Sequence, residues 1–179
     1  MPPDATVQII EPQADLHVAA AASLIRDFIS WCQTRYRERP WFVDSYLQLG
    51  DFEEELSSLS QVYAPPGGAL LLALVGDRPA GCVALRTLRD DICEIKRLFV
   101  RAEHQGLGVG RQLTEALIDL ARRRGFSTMR LDTGDLQIEA HRLYRSLGFV
   151  PIPPYYECPD QLRRYLVFME LTLRRPDDP

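Results

Sequence analysis

The chain has 179 residues, of which 46% are hydrophobic, and a formal net charge of −4; this is the size of one domain with enough apolar material for a substantial core. The negative balance and the scattered basic residues argue against a nucleic-acid surface, and the run Arg122-Arg123-Arg124 is taken as a solvated helix end. No window approaches the ~20 apolar residues of a membrane span, and the opening MPPDATVQII lacks the basic and apolar regions of an export signal, so a soluble, cytoplasmic protein without a membrane partner is expected.

In chain order, Val7 to Ile10 predicts a strand stopped by Pro12, and Asp15 to about Cys32 a helix carrying Leu16, Ala19, Ala20, Leu24, Phe28 and Trp31. Residues 40–50 are turn-rich and aromatic, Asp51 to Leu59 has the pattern of an acidic helix, and Pro65-Pro66-Gly67-Gly68 breaks the chain. Ala69 to Val75 and Ala80 to Arg86 flank the hairpin signal Gly76-Asp77-Arg78-Pro79, and Cys93 to Val100 is the next strand. A helix beginning near Gly108 places Leu113, Ala116, Leu117, Leu120 and Ala121 on one face and stops at Gly125. A strand over Thr128 to Asp132, a helix from about Gln137 to Leu147 and a last strand near Tyr165 to Leu173 follow, with a polar tail from Arg174 expected to be flexible. Strands followed by alternating helix and strand imply an α/β (α+β mixed) architecture, a mixed sheet with helices on both faces.

Cys32, Cys82, Cys93 and Cys158 form no CxxC pair and, with three histidines, suggest neither a metal site nor a disulfide framework. The most informative stretch is Gln105-Gly106-Leu107-Gly108-Val109-Gly110, which leaves an apolar strand and opens directly into the amphipathic helix. The first turn of a helix has backbone N–H groups without internal partners, and glycines remove the Cβ atoms that would hold a ligand away, so a diphosphate could dock there. A dinucleotide-binding fingerprint would cast Asp132 as the acidic residue about twenty positions on, but the turn comes late, after hairpin-like strands. A Walker A loop lacks its Gly-Lys-Ser/Thr.

Two signatures carry a resemblance to a known family. Gln105, Gly108 and Gly110 satisfy Gln/Arg-x-x-Gly-x-Gly/Ala, and Ala140, Leu143, Tyr144, Gly148 and Phe149 satisfy A-x-x-L-Y-x-x-x-G-F. In both, the chain resembles the GNAT superfamily of N-acetyltransferases, most densely from Leu70 to Phe149. The resemblance implies a GNAT-like fold: one acetyltransferase domain over residues 1–173, with a mostly antiparallel sheet and two strands that splay apart to hold acetyl-CoA like an added strand. It places main-chain contacts at Leu98, Phe99 and Val100 and the diphosphate on the turn from Gln105 through Gly106, Leu107, Gly108, Val109 and Gly110 to Arg111. Where many relatives carry Asn ahead of the second signature, this chain has Gln137.

An alkyl amine with a pKa near ~10.4 must lose a proton before it attacks a thioester. Glu94, between Cys93 and Ile95, matches the glutamate that family members use as base, directly or through water; the structural alternative is a carboxylate paired with Lys96 or Arg97. Tyr144 matches the tyrosine that protonates the departing thiolate, and a backbone N–H near Leu98 would stabilise the oxyanion. Lys96 and Arg97 fall on opposite faces of a regular strand, so that one could meet an anionic group on the acceptor. The expected acceptor is therefore a small amine such as an amino acid, in a pocket using Trp41, Phe42, Tyr46, Tyr155 and Tyr156. A non-catalytic acyl-CoA-binding sensor and a nucleotide-binding α/β domain are the competing readings. Dimers are frequent in the family, so a homodimer is an expectation by resemblance alone.

Overall fold

The computed structural model describes residues 6–173; the tail predicted from Arg174 lies outside them. Seven strands form one sheet in the order β1-β2-β3-β4-β5-β7-β6. They are β1 Val7–Ile10, β2 Gly68–Val75, β3 Arg78–Arg89, β4 Ile92–Val100, β5 Thr128–Gly134, β6 Val150–Pro151 and β7 Leu166–Thr172. Every pairing is antiparallel except β4 with β5. Strand β2 is buried on both faces, and its alternation shows why. Leu70, Leu72 and Leu74 pack under helix α1 (Asp15–Arg35), while Ala69, Leu71, Ala73 and Val75 pack under α5 (Val109–Arg123).

Helix α5 is strongly amphipathic: Leu113, Leu117, Leu120 and Ala121 are buried, and Arg122 and Arg123 lie in the last turn. The opposite face of the sheet is covered by α1, α2 (Pro40–Leu47), α3 (Phe52–Ser57) and α4 (Leu59–Val62), with the one-turn helix α7 (Asp160–Arg163) beyond them. Residues 40–50, read from the sequence as turns, contain α2, which begins with Pro40 in its first turn, where the missing N–H costs nothing. The acidic helix is two short helices; the Asp51 carboxylate caps α3 by accepting from the Glu54 N–H at 2.9 Å, and a break at Ser58 starts α4.

Tyr36, at the end of α1, ties the two halves of the sheet together. Its hydroxyl accepts the Leu136 N–H at 3.1 Å and its ring stacks on Phe42 with centroids 4.3 Å apart. Replacing it with phenylalanine keeps the stack but leaves a half-buried N–H without its partner, so urea denaturation should show a loss of about 1 kcal/mol.

Candidate active site

The site begins where the parallel pairing of β4 and β5 stops. The two strands are in register only over Ile92–Glu94 and Thr128–Arg130, after which each runs on unpaired by the other. Within β4 the register with β3 also shifts: Cys82 pairs with Phe99 and Ala84 with Lys96, so Arg97 and Leu98 together face a single residue of β3. Arg97 takes φ +59° to make this bulge, an uncommon conformation for a residue with a Cβ. The expectation that Lys96 and Arg97 point to opposite faces is therefore corrected, because the bulge breaks the two-residue alternation and both side chains line the same basin.

The opening between β4 and β5 joins three spaces. A groove at the N-terminus of α5 is walled by Leu98, Phe99 and Val100 and by Phe28, Trp31 and Arg35 of α1, and floored by Gln105, Gly106 and Gly108 to Arg111. Leu107 alone of the predicted contacts is not part of its wall. The groove leads into a narrow slot that shares Phe28, Leu98, Gln137 and Ala140 with it and reaches Tyr144 and Asp132. The slot also shares Tyr46, Lys96 and Arg97 with a basin bounded by α3, Tyr63, Arg86 and Tyr156.

Gly106 and Gly108 have φ +80° and +76°, and a Cβ on Gly106 would meet nothing within 4 Å, so the backbone lies open to the groove. The first N–H groups of α5 lack partners within the helix. An unpaired strand edge, bare glycines and a 15-residue helix N-terminus fit the pantetheine and diphosphate of an acyl-CoA. The Gln105 side chain donates to the Val100 carbonyl at 3.2 Å and so fixes the turn to the end of β4. The Gln137 carbonyl accepts from the Thr133 hydroxyl and the Gly134 N–H, holding the end of β5 against α6 (Ile138–Ser146).

Glu94 is fully buried. Its Oε2 accepts from Arg86 Nε at 2.5 Å and its Oε1 from the Tyr155 hydroxyl at 2.6 Å, with Lys96 Nζ 3.9 Å away. Arg86 stands directly opposite it in the β3–β4 register, so the partner is a cross-strand neighbour. Arg97 instead grips Glu55 through Nε and Nη2 at 2.8 and 2.6 Å. Burial opposes ionisation of Glu55, yet the hydrogen bonds and charge of Arg97 hold its carboxyl below the usual range. Lys96 donates to Tyr46 at 2.8 Å and to Asp132 Oδ1 at 3.1 Å. Arg86, Glu55 and the joint role of Lys96 and Asp132 were missed in the sequence; the hairpin register would have exposed Arg86, whereas Glu55 meets Arg97 only through tertiary packing.

Tyr144 is buried beside Phe149 on the α5 side and borders the slot. Burial, then the charge of Asp132, push its hydroxyl well above the usual phenol range, so it stays protonated across neutral pH. The thiols of Cys32, Cys82 and Cys93 are pushed up to about 12 by burial, and all four cysteines are free and buried. Among the described residues no three His, Cys, Asp or Glu side chains lie close enough to hold a metal, and no helix is long and apolar enough to cross a membrane.

A mixed sheet split between its one parallel pair, with a glycine turn at the mouth of the split, defines an acyltransferase scaffold. The model of the acetyltransferase (GNAT) family matches residues 25–149. An uncharacterized N-acetyltransferase of Schizosaccharomyces pombe is 39% identical over 63% of this chain and 71% of its own length. An N-acetylaspartate synthetase of Xenopus tropicalis is 31% identical over 53% of this chain but only 36% of its own length. A Klebsiella pneumoniae structure assigned as an acyl-CoA N-acyltransferase superimposes with a TM-score of 0.68 at 27% identity, covering 94% of this chain and 97% of that one. The PaiA N-acetyltransferase of Thermoplasma acidophilum, solved with coenzyme A, shares the fold at a TM-score of 0.71 and 15% identity over 93% and 99% of the two chains. The chain belongs to the GNAT acetyltransferase family and is an acyltransferase of the N-acetyltransferase type.

Proposed function

We propose that the protein transfers the acetyl group of acetyl-CoA directly to the primary amine of a small molecule that also carries an anionic group, such as an amino acid. The observation that carries this reading is that groove, slot and basin adjoin one another through shared walls, so that donor and acceptor can approach the slot at Leu98 and Tyr144 from different sides. Acetyl-CoA in the groove supplies the thioester carbonyl and the thiolate leaving group. Leu98, released from the strand ladder by the bulge, offers its N–H to the developing oxyanion. Glu94 drives proton removal in this reading from behind the group that touches the amine, its two oxygens held by Arg86 and the Tyr155 hydroxyl, and Tyr144 holds a proton for the thiolate. For the anionic group, Glu55 leaves Nη1 of Arg97 out of its grip, and the half-exposed Arg86 guanidinium stands on the basin wall. The name of the Xenopus relative points toward the same acceptor class.

The test is free-thiol release from acetyl-CoA over amino acids, polyamines, aminoglycosides and basic peptides. Release with amino acids is expected; release with polyamines alone would overturn the anionic-acceptor reading, as would an Arg97→Ala and a Lys96→Ala enzyme with unchanged acceptor KM. Acetyl-CoA at a hundredfold excess over its Kd should raise folded-state stability by about 2.7 kcal/mol, and NAD or ATP should not. Tyr144→Phe should lower kcat about tenfold or more with acetyl-CoA affinity kept.

A further inference from the structure

We infer that Asp132 is the residue that receives the acceptor's ammonium group, and that its Oδ2 is the atom to which the amine proton passes. This rests on the reading above and names the point at which its proton removal touches substrate. The Asp132 side chain is 1% exposed. Its Oδ1 accepts from Lys96, and Oδ2 is buried with no hydrogen bond of good geometry among the described residues, the Tyr46 hydroxyl being the other donor close to this carboxylate. An unpaired buried carboxylate oxygen costs more than a neutral orphan and is rarely retained without a use. Both oxygens of Glu94, by contrast, are taken by Arg86 and Tyr155.

Position supports the same assignment. Asp132 lies on β5 past its last pairing with β4, and it borders the slot together with Leu98 and Tyr144. A nitrogen held there has the oxyanion donor and the proton donor of the reaction as neighbours. The groups that face Asp132 are Lys96, Arg97 and Glu94 on β4, Tyr46 on α2, Cys32 on α1, Tyr144 on α6, and Tyr155 and Tyr156 ahead of α7. Burial, then carboxylate charge, push the four tyrosines up, so they remain neutral donors, and burial keeps Cys32 a thiol.

Charge balance favours an acceptor of both signs. Arg86, Lys96 and Arg97 are matched by Glu94, Asp132 and Glu55. An ammonium arriving alone would leave this set one charge positive, whereas an amino-acid zwitterion leaves it neutral. A second buried orphan, the Tyr156 hydroxyl, borders the basin and can donate to the acceptor's carboxylate. In the step itself one N–H bond of the ammonium breaks as an O–H bond forms at Oδ2. The freed lone pair then attacks the thioester carbonyl, the C–S bond breaks, and the thiolate takes the Tyr144 proton. The second N–H bond of the new amide nitrogen breaks as an O–H bond re-forms on the Tyr144 oxygen, and solvent entering on product release takes the proton from Asp132 and returns it to a carboxylate. Glu94 then acts behind Asp132, through the lysine they share.

The deciding experiment is the pH dependence of kcat/KM for the best amino-acid acceptor in the wild type, Asp132→Asn and Glu94→Gln, with acetyl-CoA binding followed by thermal shift. Asparagine is isosteric and still offers an oxygen to Lys96. Asp132→Asn should keep the acetyl-CoA shift, lose 10²–10⁴-fold in kcat/KM, and lose the acid limb of the profile, its residual rate climbing with pH as free amine appears. Glu94→Gln should keep that limb. An Asp132→Asn enzyme within threefold of wild type, or one that keeps the limb while Glu94→Gln loses it, would overturn the inference alone. A wild type that binds acetyl-CoA but acetylates no amine would overturn the function on which it rests.

Discussion

Glu94→Gln is expected to lower acetyl transfer about 10²–10⁴-fold while acetyl-CoA still protects the fold against heat. The substitution keeps the shape but removes the negative charge between Arg86 and Lys96. Its amide must also turn an N–H group toward either Arg86 or the Tyr155 hydroxyl, both of which donate to the carboxylate. Removing one partner of a buried ion pair costs about 3–5 kcal/mol. Here the lower end applies, because the Arg86 side chain is 51% exposed and rehydrates. Urea titration gives the stability change and thiol release gives the rate. A fold weakened as expected but a rate within threefold of wild type would reduce Glu94 to a structural anchor.

Gly81→Ala should damage both stability and donor binding. Gly81 pairs with Val100 at the end of β4, and an added Cβ would sit 2.6 Å from the Phe99 carbonyl oxygen, with Val100 Cγ2 at 3.1 Å and Leu113 Cδ1 at 3.2 Å. The oxygen is backbone and cannot swing aside, so the strands must separate along the wall of the groove. Overpacking of this kind costs about 1–3 kcal/mol and occasionally more. Acetyl-CoA affinity should fall with it, because Phe99 and Val100 supply that wall. Gly67→Ala is the control, since its Cβ would make only an ordinary contact with Thr87. Equal acetyl-CoA affinity in Gly81→Ala and wild type would show that the groove does not depend on this close approach.

The parts legible in the sequence are those set by short-range rules. The hairpin at Gly76-Asp77, the strand ending at Val100 and the amphipathic helix from Val109 all appear where periodicity and glycines place them. Helix α2 was hidden because its proline suggests a turn, although the first helical position is where proline is tolerated. The bulge at Arg97 left no trace, for nothing in CEIKRLFV requires a positive φ. That one residue overturned the alternation on which the placement of Lys96 and Arg97 depended. Asp132 was visible as an acidic residue but not as one with a vacant oxygen, a property that exists only once Lys96 is folded against it.

The buried cysteines make the protein well suited to the assay that tests it. A disulfide reagent that reports liberated coenzyme by colour reacts with thiolates in contact with solvent. Cys32, Cys82 and Cys93 are enclosed with their thiols held near 12, and Cys158 is enclosed as well. The native enzyme should therefore contribute almost no background, and every mole of colour should count one turnover. Colour from the enzyme with neither acetyl-CoA nor acceptor present would then be a warning of a different kind, because it would measure how much of the preparation has come unfolded.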